Sequence, residues 1–380
     1  MKIRVLFSSL ALSSFCLLVR AEAPKNIASQ LQPLVDHGAL AGAVTLVANK
    51  DKVLDIETVG YEDVAAKKPM AKDSLFWIAS MSKPMTTTAF MMLVDEGKVK
   101  LDDPVEQYLP EFKGVMYAAE KAGDHVLMKK PSHPIRVREI LSHTSGIVPR
   151  SPMEPEIDIL TLAQNVKVYP LVGLHYDPST KYEYSNGGIN TAGRIIEVIT
   201  KMPYEKFMDE RLFKPLGMKD TTFWPSDEQV ARLAKSYKAN KEKTALEETV
   251  VNQLTYPLTN RQRTPCPAGG LFSTAADCAV FCQMLLNKGE WQGKRYVSEE
   301  GVKQLSSRQT PEGLPQSYGF GFSVNPGKTF GHGGAYSTSM SIDLEHHLVT
   351  VFMVQNAGWL EEGKKAQGIF SKAALDLFAK

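Results

Sequence analysis

Two stretches near the amino terminus are strand-like: the almost wholly apolar Ala43-Val44-Thr45-Leu46-Val47-Ala48, and the more mixed run from Val53 to Val59, with Asn49-Lys50-Asp51-Lys52 between them. β-Branched runs broken by a short polar cluster predict two strands joined as a hairpin. Ahead of them Ile27, Leu31, Leu34 and Val35 recur at helical spacing, so residues 25–36 read as a helix. Strand character returns at the other end of the chain. The runs 318–324, 338–344 and 348–354 predict neighbouring antiparallel strands, and 366–378 a closing helix. From about residue 97 to 265 the pattern is helical, with polar, proline-rich loops and no long strand; there Val137, Ile140 and Leu141 mark a short helical turn. The expectation is an α/β (α+β) fold. An antiparallel sheet is drawn from about residues 25–62 and 316–380 and flanked by helices, a mostly helical region of about 63–315 is inserted, and a cleft lies between.

Composition adds an address. Met1-Lys2-Ile3-Arg4, an apolar run to Val19 and then Arg20-Ala21 read as a secretory signal peptide over residues 1–21, followed by one domain over 22–380. The run is short for a membrane span, so a secreted or periplasmic protein without stable membrane insertion is expected. Cleavage leaves 41 of the 44 basic side chains against 42 acidic ones, a balance that offers no basic field for nucleic acid. Cys266, Cys278 and Cys282 lack metal-ligand spacing and read as buried thiols.

Candidate chemistry gathers in three places. Ser80 and Lys83 form S-x-x-K at the start of a helix whose apolar run, Ala89 to Val94, is closed by Gly97. At i and i+3 the hydroxyl and amine share a face, and a lysine desolvated among apolar neighbours can take the proton of a serine nucleophile. The helix N-terminus places partial positive charge beside any oxyanion formed there. Tyr184-Ser185-Asn186 supplies a phenol, whose anion a neighbouring ammonium would favour, and an amide to orient substrate. His332-Gly333-Gly334-Ala335 falls among the late strands, where glycines let a ligand approach backbone N–H donors. No G-x-S-x-G elbow and no H-E-x-x-H motif occurs; His346-His347 would point to opposite faces of a strand end, and His143 reads as a packing or hydrogen-bonding residue.

S-x-x-K, then Y-S-N, then H-G-G on a late strand is similar in order to the motifs of penicillin-recognising serine enzymes. Y-S-N points to the class C β-lactamase group, which the chain resembles over nearly its whole mature length. Lys100-Leu101-Asp102-Asp103-Pro104-Val105, Leu141-Ser142-His143-Thr144-Ser145-Gly146, Pro215-Leu216-Gly217-Met218 and Pro267-Ala268-Gly269-Gly270 carry the same likeness. The resemblance implies a β-lactamase/transpeptidase-like fold with Ser80 as acylated nucleophile, Lys83 as its proton partner and Tyr184 as acid/base. It implies substrate-binding roles for Asn186, His332, Gly334 and Ala335, an oxyanion hole from the N–H groups of Ser80 and Ala335, and no metal or organic cofactor. It leaves open whether Lys83 or Tyr184 takes the first proton.

The third motif separates the possible substrates. Class C β-lactamases begin it with lysine, whereas histidine is only partly charged near neutrality, so capture of a substrate carboxylate should be weaker and pH-dependent. H-x-G there is similar to D-alanyl-D-alanine carboxypeptidases and D-aminopeptidases, and family VIII carboxylesterases share the first two motifs. The leading expectation is an exported serine hydrolase acting on esters or on D-amino-acid amides and peptides through an acyl-enzyme. The alternatives are a class C-type β-lactamase and a catalytically silent penicillin-binding or sensor protein. A small-molecule or peptide substrate is the expected partner, the oligomeric state stays open, and the loops about 112–135 and 235–265 are expected to wall the cleft.

Overall fold

A computed structural model describes residues 26–153 and 156–379. The leader expected over residues 1–21 lies outside the described residues. Helix α1 (Ile27–Asp36) begins where the Asn26 side chain accepts the Ser29 N–H at 2.9 Å, a favoured N-cap arrangement. Strands β1 (Gly42–Asn49) and β2 (Val53–Asp63) form the expected hairpin, and a short β3 (Lys68–Pro69) follows. Then come α2 (Ser82–Asp95), α3 (Asn186–Thr200) and α4 (Ala275–Leu286). The chain closes with β4 (Ser323–Asn325), β5 (Thr329–Gly333), β6 (Ser339–Asp343), β7 (Leu348–Met353) and α5 (Ala366–Phe378).

The seven strands form one antiparallel sheet in the order β4-β5-β6-β7-β1-β2-β3. The two chain ends meet at its centre, with Val44 opposite Met353 and Asn49 opposite Leu348. Both central strands are covered on both faces, which is why they read as unbroken apolar runs. Val44, Leu46, Val349 and Val351 join the large core of the helical region, while Ala43, Val47, Leu348 and Phe352 pack with α1 and α5 on the other face. Helix α2 is buried on every side from Ser82 to Leu93. Among the described residues no helix is long and apolar enough to cross a membrane.

Three expectations change. Of the strand expected over 318–324 only Ser323–Asn325 pairs with β5, because the segment before it presses onto α2. The Gly321 N–H donates to the Leu141 carbonyl at 3.0 Å, the Phe320 carbonyl accepts from Thr87 at 2.9 Å, and a Cβ on Gly321 would lie 2.3 Å from Thr87 Oγ1. The middle of the chain does contain strands. Tyr117–Ala122 pairs with His125–Lys129 around Gly123, and Ser236–Ala239 with Leu246–Thr249, in sequences whose Lys, Glu and Ala content hides the alternation. His346 and His347 sit in the β6–β7 turn rather than on a strand end, His347 with φ +55° and His346 Nδ1 2.9 Å from Asp343.

Candidate active site

Ser80 stands in a single 3₁₀ turn, Ala79–Met81, that runs directly into α2. Ala79 holds φ +46°, a left-handed conformation that costs a non-glycine residue roughly 1–2 kcal/mol. The surroundings fix it there. Ser82 Oγ donates to the Ala79 carbonyl at 2.6 Å and accepts the Leu271 N–H at 3.2 Å, while the Ile78 N–H donates to the Leu271 carbonyl at 3.0 Å.

One turn on, Lys83 is wholly buried, with Nζ 3.0 Å from Ser80 Oγ and 2.7 Å from the Ala268 carbonyl. Nζ also lies 4.6 Å from the centroid of the Tyr184 ring. Burial draws the Lys83 pKa from 10.5 to about 7, so near neutrality much of the amine is uncharged. Burial pushes the Tyr184 phenol up, and a hydrogen bond with the Ser80 side chain offsets only part of that rise. The expected phenolate preference is therefore reversed: desolvation outweighs the attraction of an amine that is itself losing its charge, and the phenol keeps its proton.

Tyr184 precedes α3. Ser185 caps this helix by accepting the Gly188 N–H at 3.1 Å, and Asn186 is its first residue. The Asn186 Oδ1 is buried and has no hydrogen-bond partner among the described residues. His143, with φ +61°, accepts the Ser185 N–H at Nδ1 (3.2 Å) and packs on Tyr184 and Tyr318, ring centroids 4.6 and 4.7 Å away. It packs as expected, but directly behind the phenol.

His332 comes from β5, beyond the three residues that β4 pairs, so its edge of the sheet is open toward Tyr184. Its Nδ1 lies 2.6 Å from the Gly333 carbonyl and must donate, which leaves Nε2 to accept from Tyr318 at 3.0 Å and to face the Tyr184 hydroxyl at 3.4 Å. Burial, with the Lys83 charge second, lowers its pKa to about 4, against one hydrogen bond that raises it. The ring is half-buried by surface area, yet it is enclosed where it meets Tyr184, Tyr318 and Lys83, and that side governs its charge. His332 is thus neutral at pH 7 rather than partly charged, and pH-dependent carboxylate capture loses its basis there.

The two glycines differ in use. A Cβ on Gly333 would meet only the Thr338 carbonyl at 3.5 Å, whereas one on Gly334 would lie 2.2 Å from Thr338 Oγ1 and 2.6 Å from the Ile78 carbonyl. Gly334 therefore admits the protein's own backbone, drawing the following turn onto the segment before Ser80; this replaces the expectation that it admits a ligand. Ala335 lies exposed in that turn, and its N–H has no hydrogen bond to a described residue. The structure thus brings Ser80, Lys83, Tyr184 and His332 together, with Gly334 and Ala335 alongside. Tyr318, which donates to His332 Nε2, had no signal of its own in a run expected to be strand. Among the described residues no group of three or more His, Cys, Asp or Glu side chains is placed to hold a metal ion. A groove of about 500 Å³ on the far face of β5 and β6, walled by Trp359 and Gln367, touches His332 to Gly334 but not Ser80.

A sheet built from both chain ends, a buried S-x-x-K helix and a phenol facing it define a protein of the β-lactamase/transpeptidase fold. The chain belongs to the beta-lactamase family, whose model matches residues 27–373. It is similar to Protein Rv1367c of Mycobacterium tuberculosis, 33% identical over 367 residues that cover 86% of this chain and 89% of that one. Among solved structures, EstCE1, a hydrolase with promiscuous acyltransferase activity, superposes with TM-score 0.76 at 23% identity, covering 92% of this chain and 97% of that one. The D-amino acid amidase from Ochrobactrum anthropi SV3 gives 0.70 at 22%, covering 92% and 98%. At these identities the two structures speak for the fold. Membership of the family supports a hydrolase in general.

Proposed function

We propose that this protein is an exported serine hydrolase that works through an acyl-enzyme on Ser80 and acts on esters or on D-amino-acid amides and peptides. The observation that carries the reading is a buried amine, largely neutral near pH 7, held 3.0 Å from the Ser80 hydroxyl. In this scheme Lys83 takes the Ser80 proton as Oγ bonds to the substrate carbonyl carbon, and the N–H groups of Ser80 and Ala335 receive the oxyanion. Collapse breaks the bond to the leaving oxygen or nitrogen, which takes the Tyr184 proton; Lys83, now an ammonium, returns one to Tyr184. Water then attacks the acyl ester, Lys83 takes its proton, and Ser80 leaves with that proton restored. Lys83 is the first base because Tyr184 has no anion to offer.

Uncharged substrates are favoured over carboxylate-bearing β-lactams, since His332 brings no charge. The loops 151–159 and 250–258 support an apolar acyl group. They expose Met153, Ile159, Val250 and Tyr256, and the Ile157 N–H ties them together by donating to the Gln253 carbonyl at 3.1 Å. The test is intact-mass analysis after fluorophosphonate treatment, beside a panel of short p-nitrophenyl esters, D-alanyl peptides and nitrocefin. One adduct, absent in Ser80→Ala, with ester or D-alanyl turnover, supports the proposal. No adduct on the native protein refutes it, and efficient nitrocefin turnover with negligible ester hydrolysis moves the assignment to a β-lactamase.

A further inference from the structure

A neutral primary amine has two N–H bonds and one lone pair, and it turns freely about its terminal C–N bond. To take a proton from Ser80, Lys83 must aim the lone pair at Oγ. If it turns an N–H there instead, the same 3.0 Å contact is unproductive. Its other fixed partner, the Ala268 carbonyl 2.7 Å away, narrows that freedom: with one N–H committed to Ala268, two directions remain for the lone pair, and the place of that carbonyl sets whether one of them falls on Ser80 Oγ. The placement of residues 266–268 therefore decides whether Lys83 is poised as a base.

Three attachments hold this segment. Thr86 Oγ1 donates to the Pro267 carbonyl at 2.8 Å, and Trp77 Nε1 to the Gly269 carbonyl at 2.8 Å. The third is the buried amide of Asn190. Its Oδ1 accepts the Ala268 N–H at 3.2 Å and the Cys266 thiol at 3.6 Å, while its Nδ2 donates to Tyr169 at 3.1 Å. Asn190 lies one turn along α3 from Asn186, so the helix carries two amides on one face, and the one at 190 is anchored at both its oxygen and its nitrogen. A side chain without an acceptor at 190 would strand the Ala268 N–H in the core.

We propose that Asn190 is a positioning residue which, by fixing the 266–268 segment, keeps the Lys83 lone pair on Ser80. The inference rests on the reading of Lys83 as the base. An amide that merely completes the core would affect stability; one that orients the base must affect kcat and the pH at which the base works.

The test uses the intact protein and p-nitrophenyl butyrate, with kcat and KM followed from about pH 5 to 10 and thermal melts confirming folding. Asn190→Ser removes the reach of the acceptor, and kcat should fall about tenfold or more with KM within about twofold. Asn190→Asp keeps an acceptor in place while adding negative charge that favours the Lys83 ammonium. It should restore kcat on the alkaline plateau to within about threefold and move the acid limb up by about one pH unit. Should Asn190→Ser not fold, Asn190→Thr, which also withdraws the acceptor from the Ala268 N–H but fills more of the space, takes its place with the same expected fall in kcat. A folded variant with the native kcat and acid limb overturns the inference. Lys83→Ala, run alongside, keeps the two failures apart: if it stays active, the reading of Lys83 fails; if it is dead while both Asn190 variants behave as native, only the role of Asn190 fails.

Discussion

Replacing Lys83 by methionine should abolish turnover and yet make the protein more stable at neutral pH. Burial lowers the amine from 10.5 in its ordinary state to about 7 in the fold. At 1.36 kcal/mol per pH unit, that drop withholds about 4–5 kcal/mol from the folded state at pH 7 and below. Methionine has similar length and fills the same space without charge. It gives up the donor to the Ala268 carbonyl, about 1–3 kcal/mol for an acceptor left buried, and the contact over the Tyr184 ring, about 1 kcal/mol. The net gain at pH 7 is therefore up to about 3 kcal/mol. With about 2.1 cal/mol/K of unfolding entropy per residue, a domain of this size should melt up to about 4 °C higher. The sign reverses with pH. Between pH 7 and 10.5 the unfolded chain binds the extra proton, so the native protein gains stability as pH rises, whereas Lys83→Met does not. Thermal melts of both proteins from pH 6 to 10 should show the variant ahead at neutrality and behind near pH 10. A variant less stable at pH 7, or a gap that stays flat across this range, would refute the reasoning.

Activity should follow the same titration: with a neutral ester, kcat/KM should rise with pH through about 7 as Lys83 loses its proton, with no second limb from His332 above about pH 5. A limb that survives unchanged in a variant altering the Lys83 surroundings would point to another base. His332→Lys should install a permanent charge at the third motif and raise the ratio of nitrocefin to p-nitrophenyl acetate turnover by about tenfold or more; an unchanged ratio would show that this position does not meet the substrate carboxylate. Gly334→Ala forces a Cβ against the Ile78 carbonyl, so a loss of about 1–3 kcal/mol in urea unfolding is expected, together with reduced kcat as the turn is displaced. Arg263 and Asp158 pair at 2.7 Å out of contact with solvent and link the two loops that flank Ser80. Arg263→Met should cost about 3–5 kcal/mol, much of it recovered by adding Asp158→Leu, as a double-mutant cycle would read.

What could be read in advance was whatever a local pattern determines. Strands β1 and β7 declared themselves because burial on both faces leaves few polar positions, and S-x-x-K was legible because three residues along a helix put two side chains on one face. The strand expected over 318–322 failed for the opposite reason: Gly319 and Gly321 exist for close contact with distant backbone and side chains, and the strand pattern is silent about them. Charge states were the least legible. His332 looked like a partly charged group, but its neutrality comes from burial and from the nearby Lys83, which outweigh the hydrogen bond to the Gly333 carbonyl and which only folding assembles. The phenolate expected at Tyr184 was reversed by the same desolvation that neutralises Lys83.

That shared cause ties packing to chemistry. Helix α2 has no solvent-facing stripe between Ser82 and Leu93, an arrangement that would be wasteful for a helix serving only as scaffold when it includes a lysine. Desolvation there disfavours the ammonium, and the Ala268 carbonyl and Ser80 hydroxyl do too little to restore it. In the proposed reaction, a base of the right strength then arises mainly from burying an ordinary side chain. The same burial explains why the third motif can do without a cation. A lysine at 332 would place a second ammonium beside the first, pressing Lys83 still lower, while the neutral His332 leaves its titration near pH 7. In the proposed reaction, substrate choice and base strength are then coupled through the electrostatic influence between residues 83 and 332, so a change of residue at 332 should move both.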